Sequence, residues 1–140
     1  MLKRIIYPFL LMGLVSMLSC SNNMESVNEE SQTSNQVRKD LSVEDFKNKI
    51  SEKTIVLDVR RAVEFQAGHL ENAINIDFFS SNFVAEVSKL DNSKKLLIYC
   101  ASGGRSSGAM KKLADSGFSE MYNMLGGFGA WRKANFDYVK

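Results

Sequence analysis

One short stretch of the chain combines the residue types that nucleophilic chemistry requires. It begins with a thiol, contains two glycines and ends with an arginine and a hydroxyl, in the order Cys100-Ala101-Ser102-Gly103-Gly104-Arg105-Ser106. We call residues 100–106 the thiol loop. Glycines allow successive backbone N–H groups to turn inward, and a helix after the loop adds the positive end of its dipole. Both effects favour an anion and lower the pKa of a thiol, so the loop predicts a reactive nucleophile at Cys100 inside an anion-binding site.

The strands that must position this loop are visible as apolar runs. Residues 96–99 predict a buried strand directly before Cys100. The run at 54–59 is typical of a strand that is covered on both faces, as in a parallel sheet. Residues 73–76 and 121–125 predict two shorter strands. In parallel sheets ligands bind at the carboxyl ends of the strands, which is where this reading places Cys100.

Helical patterns alternate with these strands. Ser42 can cap a first helix, whose apolar face would be Val43, Phe46 and Ile50. Aromatic residues at helical or loop spacing are expected in the core, with an acceptor pocket as the alternative for the phenylalanines: Phe78, Phe79, Phe83 and Trp131. The alternation predicts an α/β fold with an open, mainly parallel sheet of about five strands and helices on both faces.

The chain resembles the rhodanese-like domains, single-domain members in particular. The thiol loop matches at Cys100, Ser102, Gly103, Arg105 and Ser106. Similar blocks flank it on both sides and extend the resemblance over residues 41–140: Leu57-Asp58-Val59-Arg60, Glu64-Phe65, Gly68-His69-Leu70, Ala73-Ile74-Asn75-Ile76, Gly117-Phe118, Leu125-Gly126-Gly127 and Trp131.

The resemblance implies a sulfurtransferase. The Cys100 thiolate would attack the outer sulfur of a donor such as thiosulfate or a persulfide, hold it as a persulfide, and pass it to cyanide or a thiol. Residues 101–106 would bind the substrate, with Arg105 orienting an anionic donor or stabilising the loop. Many active members carry a basic residue after the cysteine, whereas this chain has Ala101, which leaves a donor other than thiosulfate open, either a small molecule or a protein.

Two other functions are compatible with a thiol at this position. One is a non-catalytic module that binds a partner or senses oxidants through Cys100. The other is a cysteine-dependent phosphatase, whose loops place one more residue between cysteine and arginine than the four found here. The shorter loop suits a sulfur atom better than a phosphoryl group, so the phosphatase is the weaker hypothesis.

Supporting roles are predicted for residues near the same edge of the sheet. Asp58 ends a buried strand, where a carboxylate must be paired, and Arg60 or Arg61 is the available partner. We expect Asp58 and Arg61 to support the site. His69 is the only histidine and is expected to hold loops through hydrogen bonds rather than to act as a base. With no second histidine or cysteine as a coligand, neither a metal nor a cofactor is expected.

The N-terminus predicts export. Basic Lys3 and Arg4 precede an apolar segment at 5–18, which is typical of a signal peptide over residues 1–19 and is short for a membrane span. Residues 17–20 resemble the lipobox of bacterial lipoproteins, so Cys20 is expected to carry lipid and to anchor the protein to a membrane of the cell envelope. A cleaved soluble protein and an uncleaved anchor are the alternatives.

The remaining sequence predicts a tethered, nearly neutral domain. Residues 20–40 are rich in Ser, Asn, Gln and Glu and read as a flexible tether, and residues 41–140 as the folded domain. Without the two leader cations, 16 basic residues balance 16 acidic ones, so no nucleic-acid partner is expected. If Cys20 is lipidated, Cys100 is an unpaired thiol outside the cytoplasm. A buried structural cysteine would be its alternative role.

Overall fold

A computed structural model describes residues 36–140 of the chain. The predicted signal peptide, Cys20 and tether residues 21–35 lie outside the described residues. Within residues 36–140, strands and helices alternate in the order β1 (Val37–Leu41), α1 (Val43–Lys49), β2 (Thr54–Asp58), α2 (Ala62–Gln66), β3 (Ile74–Asn75), α3 (Phe83–Val87), β4 (Lys95–Tyr99), α4 (Gly104–Lys112), β5 (Glu120–Met124) and α5 (Gly127–Lys133). None of these helices has the length and apolar character needed to cross a membrane.

The strands form one five-stranded sheet in the order β1-β5-β4-β2-β3, and every pair is parallel. The predicted fold class is confirmed. β4 lies between β5 and β2, with Ile98 paired to Leu57 on one side and to Asn123 on the other. All five strands therefore end at the same edge of the sheet, which we call the carboxyl edge. The thiol loop leaves this edge from β4.

Helices cover both faces of the sheet because the strands are apolar on both sides. In β4, Leu96 and Ile98 pack in one core, with residues of α3 and α4, and the intervening Leu97 and Tyr99 pack in a second core, with residues of α1 and α5. This alternation is the consequence of the two-residue period of a strand. Of the four aromatic residues expected in the core, Phe83 and Trp131 are buried, one in each of these cores, and Phe78 is partly buried against the first core. The expectation was wrong for Phe79, which is exposed.

Two details of the fold differ from the sequence prediction. Strand β1 was not predicted, and it takes residues 37–40 out of the expected tether. Its sequence, VRKDL, has no apolar run, and it becomes a strand by pairing with β5 along the edge of the sheet. In the first helix, the Asp45 N–H donates to the Ser42 hydroxyl as predicted, but Ile50 lies beyond the helix end and is exposed, because its backbone is extended.

Candidate active site

Cys100 lies directly after β4 and is fully buried beneath its own loop. The Gly103 N–H donates to Cys100 Sγ at 3.1 Å. The Ser106 hydroxyl lies 3.4 Å from the same sulfur and 3.1 Å from the Gly103 carbonyl, and it can donate its one hydrogen to either. Gly103 has a φ of 102° and caps the start of α4, a conformation that favours glycine. The chain thereby turns back over the sulfur and directs its donors at it.

These donors lower the pKa of the Cys100 thiol. Burial is the largest single influence and acts in the opposite direction, because it disfavours the charged thiolate. The Ser106 hydroxyl and the backbone N–H groups of Ser106, Ser102 and Gly103 together outweigh burial and bring the pKa below its ordinary value. The loop therefore stabilises a thiolate, and it does so without a neighbouring base.

Alkylation of Cys100 by iodoacetamide is expected to follow this lowered pKa. Because the thiolate is the reactive form, the rate should reach half its maximum at a lower pH than for an unstructured cysteine. Ser106→Ala removes the hydroxyl donor and should move the midpoint to higher pH. Ser107→Ala, one residue further along α4, is the matched control, since Ser107 donates no hydrogen bond to the sulfur. An unchanged midpoint in Ser106→Ala would contradict the assignment.

The start of α5 holds the thiol loop from the other side. The Phe128 N–H donates to the Cys100 carbonyl at 2.7 Å, and the Gly129 N–H donates to the Ala101 carbonyl at 3.0 Å. Gly127 precedes them with a φ of 55° and packs directly against the loop backbone. Gly127 belongs to one of the blocks that carry the family resemblance, and its positive φ and its contact with the loop backbone are visible only in the fold.

Gly127→Ala is expected to destabilise the protein by about 2–4 kcal/mol. A Cβ there would lie 2.7 Å from the backbone at Ala101 and Ser102, and closer still to the Cys100 carbonyl, so the loop itself must shift. Gly104→Ala is the control, because a Cβ at Gly104 meets nothing within 4 Å, and it should change stability by less than about 1 kcal/mol. Chemical denaturation measures both, and equal effects would contradict the prediction.

Arg105 is held by Glu64 of α2. Two hydrogen bonds of 2.8 Å join their side chains, and Glu64 also accepts from the Arg61 N–H. The Arg105 hydrogen bond is the main reason that the pKa of Glu64 falls to about 2. The same bond is the main reason that the pKa of Arg105 is raised, and the Cys100 thiolate adds a smaller contribution. Arg105 thus lies beside the sulfur with its charge already paired. Glu64 was expected only as part of a block that flanks the loop, and its contact with Arg105 is visible only in the fold.

Glu64→Gln is expected to increase the reaction of Cys100 with thiosulfate. The substitution leaves a hydrogen-bonding group but removes the charge that neutralises Arg105, so the guanidinium can attract a dianion and further favour the thiolate. The ion pair is partly exposed, and its loss should cost at most about 1 kcal/mol of stability. Glu44→Gln, an exposed glutamate in α1, is the control. A decreased rate would show that the pair itself assists the reaction.

Of the two arginines that could pair with Asp58, the structure selects Arg60, and Arg61, which was expected to support the site, makes no ion pair with Asp58. Arg60 Nη2 lies 2.6 Å from Asp58 Oδ2 and also donates to the Gly68 carbonyl, and both charged side chains are buried. Arg61 is exposed. Arg60, and not Arg61, is therefore the buried arginine that supports this segment.

The Asp58–Arg60 pair acts on the site through its neighbours. The Arg60 guanidinium lies 4.3 Å from the centre of the Phe128 ring and 5.5 Å from that of Tyr99. Tyr99 immediately precedes Cys100, and Phe128 donates to the Cys100 carbonyl. Among the hydrogen bonds of residues 36–140, none joins Asp58 or Arg60 to the thiol loop itself. The pair therefore supports the scaffold and not the sulfur.

His69 makes contacts that hold adjacent chain segments. Its Nδ1 lies 3.0 Å from the Phe65 carbonyl, its ring stacks on Phe65, and its backbone pairs with Val139. These contacts agree with the expected role in holding loops. In the part of the chain that the structure describes, no group of three His, Cys, Asp or Glu residues could hold a metal ion.

Fold and site together define an α/β protein with a stabilised thiolate at the carboxyl edge of a parallel sheet. A family model described as "Rhodanese-like domain" matches residues 42–134. The chain therefore belongs to the rhodanese-like domain family.

Two named proteins and one solved structure are similar to this chain. A protein of Shewanella oneidensis named "Thiosulfate sulfurtransferase GlpE" is 31% identical over 69% of this chain and 95% of the relative. A protein of the same name from Pseudomonas savastanoi pv. phaseolicola is 37% identical over 56% of this chain and 72% of the relative. The crystal structure of a rhodanese-related protein from Thermoplasma volcanium covers 72% of this chain and 97% of its own, at 29% identity and a TM-score of 0.64.

Proposed function

We propose that the protein is a sulfurtransferase that carries sulfur as a persulfide on Cys100. The observation that carries the proposal is the set of donors aimed at the buried sulfur, from the Gly103 N–H, the Ser106 hydroxyl and the neighbouring backbone. Membership in the rhodanese-like family and two relatives named as thiosulfate sulfurtransferases support it.

In the first half of the proposed reaction the Cys100 thiolate attacks the outer sulfur of the donor. A new S–S bond forms at Cys100 while the donor's own S–S bond breaks, and its electron pair leaves on sulfite or on a thiolate. In the second half a thiol or cyanide attacks the terminal sulfur and releases the Cys100 thiolate again. The loop N–H groups that stabilise the thiolate can stabilise the negative terminal sulfur of the persulfide by the same hydrogen bonds.

Intact mass spectrometry tests this proposal directly. The reduced protein is incubated with thiosulfate and, separately, with inorganic polysulfide, and then with cyanide. We expect a mass gain of one sulfur atom, mapped to Cys100 by peptide analysis, and its loss on adding cyanide with formation of thiocyanate. A thiolate-competent sample that gains no sulfur from either donor would overturn the proposal.

A second candidate is a non-catalytic module that binds a partner, which the complete burial of Cys100 favours, or that senses oxidants. In the oxidant-sensing case peroxide would add oxygen to Cys100 as a sulfenate, and the sulfur donors would leave the mass unchanged. The same mass measurement distinguishes the two functions. If Cys100 reacts with neither the sulfur donors nor peroxide, both the sulfurtransferase and the oxidant sensor are excluded, and the binding of a partner is the function that remains.

We also propose that the protein is exported and anchored to a membrane through a lipid on Cys20. The support is the leader pattern of residues 1–19 followed by the lipobox-like residues 17–20. Labelled palmitate should enter the wild-type protein and not the Cys20→Ala variant. A Cys20→Ala protein that stays membrane-bound would count against the anchor.

A further inference from the structure

The peptide unit between Ala101 and Ser102 is held by the first turn of α5. The Gly129 N–H donates to the Ala101 carbonyl oxygen at 3.0 Å. Gly127 packs so closely against the same peptide that a Cβ there would lie 2.7 Å from both the Ala101 carbonyl carbon and the Ser102 nitrogen. The oxygen and the C–N bond of this peptide are therefore both fixed by α5.

Fixing the oxygen of this peptide also fixes the direction of its N–H. The peptide is planar and trans, so the carbonyl of one residue and the N–H of the next point in opposite directions. Because the Ala101 oxygen points toward α5, the Ser102 N–H points away from α5. This N–H is one of the backbone groups that lower the pKa of the Cys100 thiol. The direction of a donor to the sulfur is thus set by a segment outside the thiol loop.

The lack of a side chain at Gly129 is part of this arrangement. A Cβ at Gly129 would lie 3.3 Å from the Ala101 oxygen, which is closer than a Cβ ordinarily comes to another atom, so the oxygen would have to move by a few tenths of an ångström. The peptide plane would turn with its oxygen and take the Ser102 N–H out of line with the sulfur. A hydrogen bond weakens as its donor angle departs from a straight line. Alanine is otherwise the better helix former, so the contact with the loop is what favours glycine here.

We propose that Gly129 is a positioning residue for Cys100: its N–H and its lack of a side chain hold the Ala101–Ser102 peptide in the orientation that presents the Ser102 N–H to the sulfur. This inference rests on the proposed function, in which the Cys100 thiolate is the attacking group. Gly129 itself donates to the loop backbone and not to the sulfur. It acts on the thiolate only through the direction of the peptide that it holds.

Gly129→Ala tests the proposal by the pH dependence of iodoacetamide alkylation at Cys100, together with chemical denaturation of the same reduced protein. We expect the alkylation midpoint to rise by about half a pH unit. Loss of a whole hydrogen bond to a charged group corresponds to roughly one to two pKa units, and the variant misaligns this bond without removing it. A merely structural role would lower the denaturation midpoint and leave the alkylation midpoint unchanged.

Gly108→Ala in α4 is the matched control. It makes the same exchange inside a helix, and its Cβ would lie 3.2 Å from the end of the Phe78 ring, a side chain that can move, and not from the loop backbone. Its alkylation midpoint should equal that of the wild-type protein, and its denaturation midpoint should be close to that of Gly129→Ala. An unchanged alkylation midpoint in Gly129→Ala, or equal shifts in the two variants, would overturn the inference.

The unaltered protein provides a second test by NMR, which decides the matter if Gly129→Ala does not fold. Ionisation of Cys100 strengthens the Ser102 N–H bond and makes the Ala101 oxygen a better acceptor, because linked hydrogen bonds polarise one another. The Gly129 amide proton should therefore move downfield with the same pH midpoint as Cys100, and the Gly108 amide proton should not. A Gly129 resonance that does not follow Cys100 would overturn the inference.

Neither measurement uses a sulfur donor. Failure of this inference therefore leaves the mass-spectrometric test of the proposed function as it stands. Failure of the proposed function, seen as no sulfur gain at Cys100, leaves both pH midpoints as measured, so the two failures are distinguishable.

Discussion

Replacing Cys100 by serine is expected to abolish sulfur uptake completely while leaving the fold intact. A serine hydroxyl is not ionised near neutral pH and cannot form a persulfide, so no part of the proposed cycle remains. The oxygen can still accept hydrogen bonds from the Gly103 N–H and the Ser106 hydroxyl, which now lie within hydrogen-bond distance of the sulfur. Stability should therefore change by only about 1 kcal/mol.

The measurement combines mass spectrometry after exposure to donor with chemical denaturation of the same sample. Sulfur that still attaches to the serine variant would show that another group is the carrier. Among residues 36–140, Cys100 is the only free cysteine, so peptide mapping gives an unambiguous result for this part of the chain. A variant that is unfolded would be replaced by Cys100→Ala, for which the same loss of sulfur uptake is expected.

Replacing Arg60 by alanine is expected to destabilise the protein by about 3–5 kcal/mol. The variant leaves the Asp58 carboxylate buried without the guanidinium that now lies 2.6 Å from it. It also removes the donor to the Gly68 carbonyl and the packing on Phe128 and Tyr99. Because these two aromatic residues adjoin Cys100, sulfur uptake should fall together with stability.

Arg61→Ala is the matched control for this prediction. Arg61 is adjacent in sequence but exposed, and its removal should change stability by no more than about 0.5 kcal/mol. The double variant Asp58→Leu with Arg60→Leu should recover much of the loss, since it removes the unpaired charge together with its partner. A large effect of Arg61→Ala with a small effect of Arg60→Ala would reverse the assignment.

The parts of the fold that local sequence specifies were predictable. The central residues of β2 and β4, 55–57 and 96–98, are all apolar, and such runs are stable when both faces are covered, as in a parallel sheet with helices on each side. The thiol loop was also predictable, because its donors come from residues within six positions of Cys100 and from the start of the helix that follows. Strand β1 lacks such a signal, since its pairing with β5 and not its own composition makes it a strand.

The sequence by itself determined the fold class, the position of the thiol at the end of β4 and the loop that surrounds it, because these depend on periodicity and on contacts between near neighbours. Only the tertiary structure decided that Arg60 and not Arg61 is buried, that Glu64 neutralises an arginine 41 positions away, and that Gly127 packs against the loop. The physical reason is that each of these depends on which segments the folded sheet brings together. Neither the spacing nor the type of the residues encodes that proximity.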